Sequence, residues 1–212
     1  MFDLFAKIQE LVVVIPVFLL ALTIHEFAHG WVANRLGDPT ARLQGRLTLN
    51  PLAHLDPIGT LAIVFIRFGW AKPVPVDYRY FKRPRRDMML VAAAGPISNL
   101  VLGAACAFCY RMIPWMAGGP EWAWLLLPVR TMLRTGVWVN VVLAVFNLLP
   151  IPPLDGSRVV SGLLPARQAI SYSRLEPYGF IIILLLFYTG IMDPVFGPAV
   201  RTLTLALFRM WG

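Results

Sequence analysis

Charge is scarce in this sequence. Asp, Glu, Lys and Arg make up 14% of its 212 residues, where soluble domains carry about 25%. Intrinsic disorder, which needs low hydrophobicity and high charge, is thereby excluded. Cysteine is scarcer still, and two residues cannot frame a disulfide-stapled secreted domain. Histidine occurs three times and acids eleven times, so a site built from titratable groups must draw on a short list. Apolar residues are abundant at 58%, and they fall in long runs rather than amphipathic stripes. These features describe an all-α polytopic integral membrane protein. A net charge of +8 can mark nucleic-acid binding. In a membrane protein it reads instead as the basic bias of cytoplasmic loops, and no nucleic-acid partner is expected.

A crossing helix needs about 20 mainly apolar residues. Leu11 to Ile24 carries no charge and continues helically to about Asn34, where Gly37-Asp38-Pro39 ends it. Met88 to Ile113 is a full-length span. Gly136 to Leu149 runs into Pro150-Ile151-Pro152-Pro153, and Pro177 to Ile191 and Val195 to Phe208 form a closing pair. Pro57 to Phe68 is too short to cross upright and has basic residues on both flanks, which predicts a re-entrant or partly inserted segment. About five to six membrane segments are expected. They form a single domain over residues 1–212, with a core at about 8–165 and a C-terminal helical hairpin at about 175–210. Lys72-Pro73-Val74-Pro75-Val76 reads as a small extended segment on the cytoplasmic side, since each Pro disfavours helix for the residue before it.

Loop charges orient the chain. The first span ends in the cytoplasm, the Met88 span leaves it, and the Gly136 span returns to it. The closing pair then brings Arg209 back to the cytoplasmic side. Arg111, Arg130 and Arg134 run against this scheme. Trp115, Trp122 and Trp124 fit an outer interfacial belt. Residues 1–24 share Lys7 and an apolar core with signal peptides, but Asp3 and Glu10 spoil the basic region and no small-residue cleavage site follows.

His25-Glu26-Phe27-Ala28-His29 is an H-E-x-x-H motif inside the first span. Histidines four apart on a helix face one side and can hold one metal ion together. The Glu beside the first ligand reaches a metal-bound water as general base. Ionisable residues within a span are costly and mark function by default. A catalytic zinc takes three protein ligands plus water. His54 is the remaining histidine. Among the few unused carboxylates Asp155 stands out, at the cytoplasmic end of a span after the rigid proline segment. Loop charges place that end and the motif at the same leaflet.

The motif pair resembles the site-2 protease family of intramembrane zinc metalloproteases. Its second element, N-x-x-P-x-x-P-x-L-D-G, is present as Asn147, Pro150, Pro153, Leu154, Asp155 and Gly156. The stretches from Asn50 to Gly59 and from Gly95 to Asn99 resemble segments of the compact prokaryotic members, which have no PDZ or C-terminal regulatory domain. The likeness spans about residue 8 to about 165. It implies His25, His29 and Asp155 as ligands of one Zn2+ and Glu26 as the base. Asn147 would hold substrate or the developing oxyanion. It also implies cleavage of a transmembrane protein or peptide within or beside its span. A prokaryotic plasma membrane is the simplest location, with the active site near the cytoplasmic leaflet.

Other residues keep open readings. His54 is a third ligand, a substrate contact or a loop residue. Asn99 serves helix packing or site support. Cys106-Ala107-Phe108-Cys109 is C-x-x-C without a redox fold, and packing explains it better. The competing function is a zinc-binding membrane scaffold or carrier without peptidase activity. Glu26 separates the two, since a binder needs no base there.

Overall fold

The computed structural model describes residues 2–59, 71–116 and 122–211. Helix α1 spans Phe2–Arg35. It ends where Leu36 and Gly37 turn back on it, with Gly37 at φ 111°, a left-handed conformation that a Cβ would strain. Asp38 follows and is fully buried. Its carboxylate accepts from the Thr40 N–H at 2.9 Å and from the Thr40 hydroxyl. It also accepts from the Asp77 N–H at 2.7 Å.

A short helix α2, Thr40–Leu43, leads to a 3-10 turn at Pro51–His54, whose first turn is capped by the Asn50 side chain. Leu55 then forms a single antiparallel bridge with Ala71, and the Lys72 N–H donates to the His54 carbonyl. Most of the expected re-entrant segment Pro57 to Phe68 lies outside the described residues. Residues 72–77 are extended, as their prolines require. A further 3-10 turn, Tyr78–Tyr80, joins them to the next helix.

Helix α3, Pro84–Met116, and helix α4, Ala123–Asn147, are the long partners of α1. Helix α4 begins at Ala123 rather than near Gly136. Arg130 and Arg134 dilute the apolar signal of its first half, but both sit on its exposed side and do not interrupt the backbone. The chain continues as α5 (Asp155–Leu163), α6 (Ala166–Ser173), a 3-10 turn at Glu176–Tyr178, α7 (Gly179–Tyr188) and α8 (Asp193–Arg209). Four helical stretches are long and apolar enough to cross a membrane: Leu11–Arg35, Pro84–Pro114, Leu126–Asn147 and the interrupted Ala166–Tyr188. No strand longer than the single bridge occurs among the described residues.

The C-terminal pair departs from expectation. Helix α7 has ten residues, about 15 Å of length against a hydrocarbon core of about 30 Å. It starts against the Pro152 carbonyl at Gly179. It ends with Phe187 beside Phe146, near the C-terminal end of α4, at a ring separation of 6.0 Å. Helix α8 then runs back along α4, packing Val200 on Val141 and Val145. Its far end brings Phe208 onto Tyr110 at 5.4 Å and the Trp211 indole N–H to the Ala104 carbonyl at 3.2 Å. Arg209 therefore lies beside Arg111, at the end of the bundle opposite the start of α3. The expected return to the side of the motif does not occur, because α8 starts near the C-terminal end of α4 and runs back along it to the far end of α3.

Small residues let these helices close. A Cβ on Gly103 would stand 3.2 Å from Leu207, and one on Gly136 2.9 Å from the Cys106 sulfur. The two cysteines are unpaired. Cys106 acts as a packing residue against Gly136, in line with the packing reading.

Candidate metal centre

Helix geometry places His25 and His29 one turn apart on α1, facing α3. His25 and Glu26 are buried, and the His29 side chain is 11% exposed. Helix α3 crosses the two rings at Gly95. A Cβ there would lie 2.6 Å from His25 Nε2 and closer still to His29 Nε2, so only bare backbone fits. The C-terminal end of α4 supplies the third side. Gly156 seats the first turn of α5 directly on the Leu148 carbonyl, where any Cβ would collide. That contact sets Asp155, the first residue of α5, opposite the histidines.

Three ligand atoms converge. His25 Nε2 and His29 Nε2 are 3.0 Å apart, and Asp155 Oδ2 lies 3.1 Å from the first and 3.2 Å from the second. Tetrahedral coordination with bonds of about 2.0–2.1 Å separates ligand atoms by about 3.3 Å. Among the described residues this is the one His/Cys/Asp/Glu group that could hold a metal ion.

The surroundings fix which form each ligand takes. Asn99 is fully buried and Asn140 is 1% exposed. Asn140 donates its amide to the Gly136 carbonyl at 2.8 Å, which turns its oxygen towards Asn99. Asn99 donates to Asn140 Oδ1 at 2.9 Å and to the Ala21 carbonyl at 3.1 Å. Its own oxygen therefore faces His25 Nδ1 at 2.6 Å and can only accept. On the other ring, His29 Nδ1 donates to the Val91 carbonyl at 2.7 Å. With both Nδ1 atoms protonated, both Nε2 atoms of the neutral rings carry lone pairs. They point at the same place as Asp155 Oδ2, which is buried and has no hydrogen-bond partner. Three lone pairs this close repel unless a cation sits among them, so the residues present fit a metal.

Glu26 Oε2 accepts from the Val74 N–H at 2.9 Å, so the extended proline segment is tied to the motif. His54 stands apart from the converging group. It is fully buried, and its Nε2 meets the Thr48 carbonyl at 2.9 Å, which favours the loop reading over the ligand reading. Asn147, the last residue of α4, donates its amide to the Leu143 carbonyl at 3.0 Å. Asn99 has contacts of both kinds, to His25 on one side and to Ala21 and Asn140 on neighbouring helices. Asn140 and Asp38 escaped sequence reasoning. An amide in the middle of an apolar span was the available signal for Asn140. Asp38 looked like an ordinary helix stop.

Comparison with known proteins agrees with this architecture. A profile for peptidase family M50 matches residues 123–189, which include Asn147, Asp155 and Gly156. A protein of Bacillus subtilis (strain 168) named "Putative zinc metalloprotease YwhC" is 45% identical over 184 residues, covering 85% of this chain and 82% of that protein. Proteins named "Putative zinc metalloprotease Rip2" are 28% identical over 190 residues in Mycolicibacterium smegmatis and 30% identical over 186 residues in Mycobacterium tuberculosis. The first alignment covers 86% of this chain and 69% of the relative, the second 83% and 66%. No solved structure matches the chain. By the extent of its likeness to the Bacillus protein and by the matched profile, the chain belongs to peptidase family M50, the site-2 protease family.

Proposed function

We propose that this protein is a zinc-dependent intramembrane endopeptidase, a single metalloprotease domain that cuts a transmembrane protein or peptide within or beside its span. The observation that carries the reading is the convergence of His25, His29 and Asp155 within 3.0–3.2 Å, with Glu26 beside the first ligand on a membrane-spanning helix. Two imidazole nitrogens and one carboxylate oxygen leave the fourth tetrahedral position open, the arrangement of catalytic rather than structural zinc sites. The zinc names of the relatives support the choice of metal.

Zinc held there supplies Lewis-acid polarisation of an amide carbonyl and lowers the pKa of water to about 7. The chain's own residues do the rest. His25 and His29 present lone pairs because Asn99 and Val91 hold their other nitrogens protonated. Glu26 takes a proton from the attacking water. With Oε2 engaged by Val74, we assign that proton to Oε1. The water oxygen bonds to the amide carbon, the C–N bond breaks, and Glu26 returns the proton to the leaving nitrogen. Asn147 steadies the substrate or its oxyanion. A helical amide is shielded and hydrogen-bonded, so the substrate unwinds locally, and the extended 72–76 segment offers a backbone edge beside Glu26.

The site-bearing end of the bundle carries the basic loops, including Arg42, Arg46, Lys72, Arg83, Arg85 and Arg86. That bias supports a site near the cytoplasmic leaflet of a plasma membrane. The test is Glu26→Gln in protein reconstituted with a transmembrane peptide. Zinc content should match the wild type and cleavage should vanish. Normal cleavage by Glu26→Gln would refute the mechanism.

A further inference from the structure

The three arginines that oppose the loop-charge rule are not scattered. Arg111 on α3, Arg130 and Arg134 on α4 and Arg209 on α8 line one cavity of about 1160 Å³. That is larger than most small-ligand sites, which run about 300–1,000 Å³. No Asp or Glu lines it among the described residues. It lies far from the metal centre. From Gly95, against the histidines, to Arg111 is about 24 Å along α3 at 1.5 Å per residue. This is the thickness of most of a bilayer core, so the cavity belongs to the opposite leaflet.

Four like charges around one space repel and favour an anion among them. Arg130 is held in place by the Tyr110 ring, 4.8 Å from its guanidinium carbon, a cation–π contact that pre-aims it. The rest of the wall is mostly apolar, with Thr131, Thr135 and Thr204 among the apolar side chains. Leu127, Trp138 and Leu205 are 66%, 55% and 44% exposed, and they join the cavity to the outer face of the bundle. Trp122 and Trp124, also exposed, mark the headgroup level at this end. An anionic headgroup with an attached chain matches both halves of this surface. Guanidinium forks bind phosphate oxygens in pairs, and the apolar wall takes an acyl chain.

We propose that this cavity is a binding site for one anionic glycerophospholipid, with its phosphodiester among Arg111, Arg130, Arg134 and Arg209 and an acyl chain along Leu127, Trp138 and Leu205. Interhelical basic pockets recognise anionic lipid headgroups in this way. The inference does not depend on the peptidase reading. It also accounts for basic residues on the side that loop-charge rules leave poor in them.

The test is native mass spectrometry of the purified full chain in detergent, titrated with phosphatidylglycerol or with phosphatidylcholine of the same acyl chains. Wild-type protein should retain one phosphatidylglycerol at least tenfold more tightly than phosphatidylcholine. Arg111→Gln, Arg130→Gln and Arg134→Gln combined should abolish that preference and leave zinc content unchanged. Combined Arg83→Gln, Arg85→Gln and Arg86→Gln, which removes equal charge at the other end, should preserve it. Equal retention of the two lipids by wild-type protein overturns the proposal whatever the variants do. So does an undiminished preference in the first triple variant. Displacement of the bound lipid by an acidic peptide at equal concentration would reassign the cavity to a protein partner and also overturn it.

Discussion

Asn99 Oδ1 stands 2.6 Å from His25 Nδ1, and Asn140 aims it. Through this chain of two buried amides, helices α3 and α4 decide which nitrogen of a residue on α1 is free to bind a metal. Outer partners of this kind typically change metal affinity by about 10–100-fold when removed. Asn99→Ala should weaken zinc binding by at least tenfold in a chelator competition. Asn99→Asp keeps an acceptor at the same place and should retain most of the affinity. Asn140→Ala should shift affinity in the same direction by less. Equal affinity in Asn99→Ala and wild type would remove the positioning role.

Gly95 is a second constraint on the same ligands. Its missing side chain leaves the space that the two imidazoles occupy. Gly95→Ala should cost the protein its zinc while leaving its helix content intact. Elemental analysis of purified protein, with circular dichroism alongside, checks both. A Gly95→Ala protein that purifies with full zinc would show that α3 can move away from the rings.

The Val74 N–H, 2.9 Å from Glu26 Oε2, ties the base to the extended segment. Val74→Pro deletes that donor. Cleavage should fall by at least tenfold while zinc content stays at the wild-type level. Val74→Ala keeps the N–H and should cleave at close to the normal rate. Comparable rates for the Pro and Ala variants would mean that the hydrogen bond does not position Glu26.

Asp38 accepts from three donors, two on Thr40 and one at Asp77, and so pins the same segment to the end of α1. Leaving buried donors unsatisfied costs about 1–3 kcal/mol. Asp38→Ala should lower the thermal midpoint in detergent, and protease sensitivity should rise first around residues 72–77. An unchanged midpoint would show that these donors find water instead.

Much of this site is local and therefore legible in the sequence. Helical period alone puts His25 and His29 on one face, and an acid beside the first ligand announces hydrolytic chemistry. Pro73 and Pro75, two residues apart, each disfavour helix for the residue before them. In sequence the span of α4 reads short, because Arg130 and Arg134 depress hydropathy without breaking a helix. In sequence the C-terminal pair reads as a crossing hairpin, because Pro177 to Ile191 is apolar over a length of which helix α7 uses only Gly179–Tyr188.

By itself the sequence determined the class of molecule, the membrane segments of α1 and α3, and the placing of His25 and His29 on one helix face beside Glu26. These rest on composition and on periodicities of a few residues, which act within one helix. The tertiary structure decided the rest. It brought Asp155 to within 3.1 Å of His25, set the Asn140–Asn99–His25 chain, tied Val74 to Glu26 and gathered four arginines around one cavity. Each of these joins residues on different helices. Such contacts depend on how closely the helices approach and at what register. Those distances are set by bare backbone at Gly95, Gly103 and Gly156 meeting specific partners, which no single stretch of sequence encodes.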